Sequence, residues 1–485
     1  MPSIVLATVN AKFQHAAFGL RYLLSNLREL REHAVLKEWS LGIRARDVVE
    51  ELLALEPTIV GFSVYIWNSE ILTEIVTLLK KLRPSIIVVL GGPEVSYEWE
   101  EQTIFQRADY LVRGEGEVAF LELCRKILAG EPPPLKAIPG GLPLLGELVW
   151  PYQEYNDFDL EHGRVVYVEA SRGCPFQCAF CLSSLDKSVR AFELEPFLEQ
   201  MEMLLKRGVK RFKFVDRTFN LKASVSERIM SFFLERYETG MFLHFEMIPD
   251  RLPESLRPLI RSFPPGVLQF EVGIQSFDPQ VCDRIGRRQK FSAIEDNLRF
   301  LEQQTGVHVH ADLIAGLPGE DLESFGRGFD RLYGYGVAEI QVGILKRLRG
   351  TPITTIGEEW GMIYSETPPY EVLRTAHLSF FELQRLQRFA RYWDLVSNSG
   401  RYPQLTEALL SQGAPFETFL RFSDWLFEQV GTTGGIAARR LGKLLAKYLG
   451  ALGVSEVENL LSDDLSSKPV SKLPKRQARH SLSSL

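Results

Sequence analysis

Three of the chain's five cysteines, Cys174, Cys178 and Cys181, fall within the segment SRGCPFQCAFCLSS. Their C-x3-C-x2-C spacing puts three thiolates on one short loop. Such a set can hold three irons of a cubane cluster and leave the fourth iron open to an outside ligand. That open iron separates a catalytic cluster from an electron carrier ligated by four cysteines. Gly173 and Pro175 favour a tight loop, and Phe180 can shield the metal from water, which tunes its potential. The competing reading is a zinc knuckle. Zinc asks for a fourth Cys or His close by, and the next histidine downstream is His244, so the spacing favours the cluster. Cys124 and Cys282 fall in helical patterns among apolar neighbours and read as buried, inert thiols.

A loop of this kind needs strands to carry it. It follows VVYVEAS (165–171), the first of six strand-like runs; the others are RFKFVD (211–216), FLHFEMI (242–248), VLQFEVGIQS (267–276), VHVHADLIAG (307–316) and AEIQVGIL (338–345). Amphipathic helical stretches separate them. Six strand–helix steps in about 190 residues fit an incomplete parallel barrel, whose chemistry sits on loops at the carboxyl ends of strands. Upstream, five further runs, SIVLATV (3–9), AVLKEW (34–39), TIVGFSVY (58–65), IIVVLGG (86–92) and DYLVRG (109–114), alternate with helical patterns. That alternation predicts a parallel sheet covered on both faces, with its ligand site beyond the strand ends.

Between the two series, EPPPLKAIPGGLPLLG (131–146) is rich in proline and glycine and reads as a linker, extended by a bridging segment to 164. From about Thr367 the alternation stops. Val372, Ala376, Phe380, Leu383, Leu386, Phe389, Trp393 and Val396 recur at helical spacing and predict a helix with one apolar face. The aromatic stripe that follows reads as core. The last 24 residues, with seven serines and five Lys/Arg, read as a disordered tail. The expected organisation is therefore 1–130, a Rossmann-like domain; 131–164, a linker; 165–365, a partial (β/α)6 barrel; 366–461, a helical C-terminal domain; and 462–485, a tail.

Composition narrows the classes. A net charge of −6 argues against binding nucleic acid through bulk positive charge. No apolar run approaches the 18 or so residues of a membrane span. The N-terminus shows no secretory signal pattern, so a soluble, cytoplasmic protein is expected.

SRGCPFQCAFC after the first strand of a six-step barrel resembles the radical S-adenosylmethionine superfamily. GIQSFDPQVCDRIGR (273–287), HADLIAGLPGED (310–321) and LRGTPI (348–353) lie in the matching order after later strands. IVGFSVY, VVLGGPEVS and DYLVRGEGEVAFLEL resemble the cobalamin-binding domain that precedes the barrel in one subgroup. Each glycine motif is weak alone; their order makes the case.

The resemblance implies that Cys174, Cys178 and Cys181 ligate a 4Fe-4S cluster whose free iron binds S-adenosyl-L-methionine. It implies that Glu246, Gln275 and Asp312 contact the methionine or ribose of that cofactor and that Ile314 contacts its adenine. Acceptors suit hydroxyls and an ammonium group, and an apolar side chain suits a purine face. The alternative for Glu246 and Asp312 is a structural ion pair. After the second strand the chain reads FVDRTFN, where many relatives carry glycines. Asp216 could accept from the ammonium or instead cap the following helix, and Arg217 could reach the carboxylate. In the first domain, Ser63, Gly91, Gly92, Gly114 and Glu115 stand at strand ends where the cobalamin tail would run against bare backbone. The loop NAKFQHAAFG departs from the D-x-H-x-x-G pattern of proteins that ligate cobalt through histidine, so His15 is not expected to be a cobalt ligand.

The implied function is a cobalamin-dependent radical enzyme that methylates an unactivated carbon or phosphorus. A 5′-deoxyadenosyl radical would abstract hydrogen, and methylcobalamin would supply the methyl group. A rearrangement or ring contraction using the same cofactors, and a non-catalytic cobalamin or iron–sulfur sensor, are the alternatives. Methylthiotransferases carry a second cysteine triad that this chain lacks. The implied partners are a small-molecule or peptide substrate and an electron donor such as flavodoxin or ferredoxin.

Overall fold

The computed structural model describes residues 1–466. In the first domain the β-branched runs form β1 (Ile4–Asn10), β2 (Ala34–Ser40), β3 (Ile59–Ser63), β4 (Ile87–Gly91), β5 (Tyr110–Arg113) and β6 (Ala137–Pro139). All pairings are parallel, in the order β2-β1-β3-β4-β5-β6. Side chains alternate across the sheet. Val5, Ala7 and Val9 enter one apolar layer with Val60, Phe62 and Val88. Ile4 and Leu6 enter the other with Ile59 and Val89. Both faces are thus buried under helices, as an all-parallel sheet requires.

The segment expected to be a linker is part of the fold. β6 lies at the edge of the first sheet, the position where proline is tolerated because the outward N–H needs no partner. Tyr152 and Tyr155 are fully buried in the barrel core. A short helix, Asp157–Glu161, is fixed by a capping box between Asn156 and Asp159. Aromatic anchoring outweighs the proline content of this stretch.

The barrel strands are β7 (Val166–Val168), β8 (Arg211–Phe214), β9 (Phe242–Met247), β10 (Leu268–Gln275), β11 (His308–Ala315) and β12 (Glu339–Ile344). They pair in sequence order, all parallel, with β7 and β12 as the two edges, so the barrel is open. Phe212, Phe245, Phe270, Val309 and Ile340 turn outward into the core under the helices. The alternate, inward positions are polar. The register sets Glu246, Glu271, His310 and Glu339 level across four neighbouring strands. A closed barrel fills its interior with branched apolar residues; this one lines a polar chamber.

The C-terminal region is helical, at Phe380–Trp393, Pro403–Leu410, Pro415–Val430, Ala438–Ala451 and Val457–Ser466. Phe389, Trp393, Phe416 and Phe419 form an aromatic core against Phe329 of a barrel helix. Val372 and Ala376 do not belong to the first of these helices. Val372 lies in a short strand, Val372–Arg374, paired with Ile363–Tyr364. The helix starts after Ser379, whose Oγ accepts from the Glu382 N–H while the Glu382 carboxylate accepts from the Ser379 N–H. Residues 462–466, expected in the tail, complete the last helix, where Asp464 accepts the N–H groups of Gln404 and Leu405. The rest of the expected tail lies outside the described residues. Among the described residues no helix is long and apolar enough to cross a membrane.

Candidate active site: two cavities joined by the cysteine loop

The cysteine loop leaves the sheet just past β7 and is held from several sides. Asp216, buried beyond the end of β8, accepts from the Ala170 N–H at 3.0 Å and from Ser171 Oγ at 2.6 Å. Burial pushes this carboxyl up to about 6. Gly173 has φ +91, and a Cβ there would stand 1.8 Å from the Ser188 carbonyl oxygen, so only glycine fits. The Ala179 N–H donates to Ile285 O, and the Ile353 N–H donates to Ala179 O. The motifs around residues 285 and 353 are therefore the walls that shape the loop.

Cys174, Cys178 and Cys181 open on a cavity of about 250 Å3, together with Glu246, Gln275 and Asp312. Among the described residues no three Cys, His, Asp or Glu side chains gather around a single ion. A cubane instead asks each thiolate to meet its own iron. Burial raises the Cys174 thiol. Arg287 Nη1 lies 3.4 Å from Cys178 Sγ, and its Nη2 donates to Gly273 O. Arg217 Nη1 reaches both oxygens of Glu246, at 3.1 and 3.2 Å. Burial raises Glu246, and Arg217 opposes the shift.

Gln275 stands at a register break after Gly273 and has φ +72, a conformation costly for a side-chain-bearing residue. Its Oε1 is buried without a hydrogen-bond partner, and so is Asp312 Oδ1. His310 Nε2 lies 3.3 Å from Asp312 Oδ1 and 2.9 Å from Gln341 Oε1. Burial alone would lower His310, but Asp312, with Glu339 and Glu271, raises it to about 9. Burial raises Asp312, against His310. Two buried acceptors that lack a hydrogen bond, Gln275 Oε1 and the ion-paired Asp312 Oδ1, beside two guanidinium groups fit a ligand that brings hydroxyls, an ammonium and a carboxylate.

Two expected residues stand elsewhere. Asp216 does not line the cysteine cavity and does not cap the next helix; its oxygens hold the loop's root. Ile314 lines a neighbouring cavity, with Phe180 shared between the two. Arg287 ends the segment GIQSFDPQVCDRIGR, where nothing in its sequence position marks it; the fold brings it to Cys178. Cys124 and Cys282 are buried on helices.

In the first domain Ser63, Gly91, Gly92, Gly114 and Glu115 all line one apolar cavity of about 260 Å3. Gly92 has φ +103, and a Cβ there would stand 2.5 Å from Val64 O. A Cβ on Gly114 would meet nothing within 4 Å, so bare backbone faces open space. His15 does not line this cavity; its Nδ1 is hydrogen-bonded to the Tyr167 hydroxyl. Glu169 and Arg172 reach the same cavity from the barrel side. Arg172 pairs with Glu115, Glu117 and Glu169 at 2.8, 2.8 and 2.9 Å. The segment Glu169–Cys174 therefore borders both cavities.

Residues 4–124 match the family described as B12 binding domain, and residues 168–332 match the Radical SAM superfamily. Residues 358–480 match a Protein of unknown function family, DUF4080. An uncharacterized methyltransferase of Pyrococcus horikoshii is 26% identical over 336 residues, 63% of this chain and 70% of that protein. The cobalamin-dependent radical SAM methyltransferase TokK of Streptomyces tokunonensis is 27% identical over 62% of this chain and 48% of that protein. The chain thus spans about half the length of the second relative. Among solved structures, the radical S-adenosylmethionine methyltransferase TsrM from Kitasatospora setae, with cobalamin and a 4Fe-4S cluster bound, superposes with TM-score 0.63. It shares 18% identity over 88% of this chain and all of that one, a likeness of fold.

Proposed function

The chain belongs to the radical S-adenosylmethionine superfamily, in the group with a cobalamin-binding domain before the barrel, and from that premise we propose a methyltransferase acting on an unactivated carbon. Its cofactors are a 4Fe-4S cluster, S-adenosyl-L-methionine and cobalamin. The observation that carries the proposal is the short segment Glu169–Cys174, which lines the first cavity through Glu169 and Arg172 and the second through Cys174. When bound, the cluster and one S-adenosylmethionine supply a hydrogen-abstracting carbon radical, while cobalamin and a second S-adenosylmethionine supply the methyl group.

The chain's own residues bind, orient and exclude water. Cys174, Cys178 and Cys181 take the cluster, and the Arg287 N–H beside Cys178 stabilises negative charge on that sulfur. Arg217 and Arg287 offer cations to the cofactor's carboxylate. Glu246 offers an acceptor to its ammonium, and Gln275 Oε1 and Asp312 Oδ1 offer acceptors to ribose hydroxyls. Phe176, Phe180, Met247 and Ile248 form the apolar part of the wall. Ser63, Gly91, Gly92, Gly114 and Glu115 leave a channel for the cobalamin tail. An external flavodoxin or ferredoxin delivers the electron, the substrate is a small molecule or a peptide, and a reducing cytoplasm keeps the cysteines out of disulfides.

The test is a product assay on reduced, fully loaded protein. Methyl transfer yields both S-adenosylhomocysteine and 5′-deoxyadenosine. Deoxyadenosine alone would mean a rearrangement, and neither product would mean a sensor.

A further inference from the structure

The last barrel strand leaves one edge open. The Leu345 N–H donates to Ala315 O on β11, and the parallel register runs without a break from His310↔Glu339 to Ala315↔Ile344. Alternate residues therefore turn their backbone groups to β11, and Ile340, Val342 and Ile344 turn theirs away. The outward pair on Ile340 is closed by a side chain. Asn398 Nδ2 donates to Ile340 O at 2.9 Å, and the Ile340 N–H donates to Asn398 Oδ1 at 3.3 Å. The Asn398 amide, at the end of the π-helical turn Asp394–Asn398, takes the place of a peptide group from a neighbouring strand. Past the end of β11 the same inward-turned side is taken over by the segment Tyr370–Val372, with the Val372 N–H donating to Leu345 O and the Arg347 N–H to Tyr370 O, so the outward edge is not closed there.

Beyond the Asn398 closure, the outward N–H and C=O groups of Val342 and Ile344 meet no other backbone or side chain among the described residues. They face a cavity of about 600 Å3 between β12 and the helix Phe380–Trp393. Phe180, on the cysteine loop, lines both this cavity and that of the cysteines. An edge that already accepts one amide and leaves the next two positions open is built to accept more.

We propose that this cavity binds an extended peptide segment, added as a further strand on the open edge of β12. This rests on the proposed methyl transfer and names its substrate class. The open stretch from Val342 to Ile344 is about 7 Å long and engages roughly three residues of the added strand. Side chains of an added strand alternate between faces. One is turned toward Phe180 and the cysteine cavity, and it carries the carbon that is methylated. Its neighbours lie toward the C-terminal helix, where Gln387 and Arg391 line the wall.

Hydrogen–deuterium exchange over residues 339–346 tests this on the full chain carrying its cluster and cobalamin. The probes are pools of N-acetylated, C-amidated tripeptides and the same pools methylated on their backbone nitrogens. At least one unmethylated pool should slow exchange roughly tenfold, the slowing that nine-tenths occupancy gives, and its methylated counterpart should not. Val342→Pro removes an outward N–H while sparing the ladder to β11; it should abolish the protection and leave iron content unchanged. No slowing by any pool overturns the proposal. Equal protection by the methylated pools also overturns it, because the ligand would then be read by side chains alone. Binding is read without turnover, so peptide protection alongside a failed product assay would refute the reaction and leave the peptide site standing.

Discussion

Asp312 carries the sharpest consequence at the scale of single residues. Its Oδ1 is buried, faces the cysteine cavity and has only the 3.3 Å ion pair with His310 Nε2, which lies closer to Gln341 Oε1. A hydrogen bond to a charged group is worth about 1.5–3 kcal/mol. Asp312→Asn should therefore weaken S-adenosylmethionine binding by roughly ten- to a hundredfold, with iron content unchanged in a titration of the loaded protein. Unchanged affinity in a folded, fully clustered variant would remove Asp312 from the site. His310 makes a separate prediction, about stability. Its folded value of about 9 lies above the 6.5 of a free imidazole. Its ion pairing therefore stabilises the fold fully below about pH 6.5 and is lost as pH rises through 9. His310→Gln should lower Tm most at pH 6, and the gap from the wild type should close by pH 10. A gap independent of pH would mean that His310 acts through packing alone.

At the scale of elements, the cysteine loop depends on a glycine that binds nothing. A Cβ on Gly173 collides with the Ser188 carbonyl, and φ +91 adds backbone strain. Gly173→Ala should bring reconstituted iron well below about four per chain while far-ultraviolet circular dichroism stays unchanged; full iron content would show that the loop can shift at no cost. Much of this level was legible in the sequence. Each strand-like run became a strand within a few residues, because β-branched runs between helical patterns have one consistent parallel arrangement. The cysteines, Glu246, Gln275 and Asp312 converge because each stands in the carboxyl half of a barrel strand or on the loop beyond one. What stayed hidden depended on long-range contacts. Asp216 reads as a cofactor acceptor in the sequence, but in the fold its oxygens accept from Ala170 N–H and Ser171 Oγ. Arg287 looked like any helix-end arginine until the fold set it against Cys178. Val372 kept the helical period, yet the Ser379–Glu382 capping box starts the helix seven residues later.

At the scale of the whole molecule, guanidinium groups join the two halves of the site, with Arg190 on Glu115 and Arg349 on Glu94 beside the more central Arg172. Arg172 bridges Glu115 and Glu117 of the first domain to Glu169 before the cysteine loop, and only 12% of its side chain is exposed. Removing it leaves Glu117 and Glu169 without this cation, while Arg190 still pairs with Glu115; stranding a buried charge costs about 3–5 kcal/mol. Arg172→Met should lower the urea midpoint and release cobalamin on gel filtration; a variant that keeps both would show that other contacts carry the junction. The central claim, that the two cavities serve one methyl transfer, is tested most directly by measuring both products in wild type and Cys178→Ala. Reduced wild-type protein loaded with cobalamin should form S-adenosylhomocysteine and 5′-deoxyadenosine. Cys178→Ala should lose deoxyadenosine and stop S-adenosylhomocysteine at about one per cobalamin, since the methyl group placed on cobalamin in the other domain would then have no substrate radical to take it. Wild-type protein that forms deoxyadenosine and no S-adenosylhomocysteine would contradict the account.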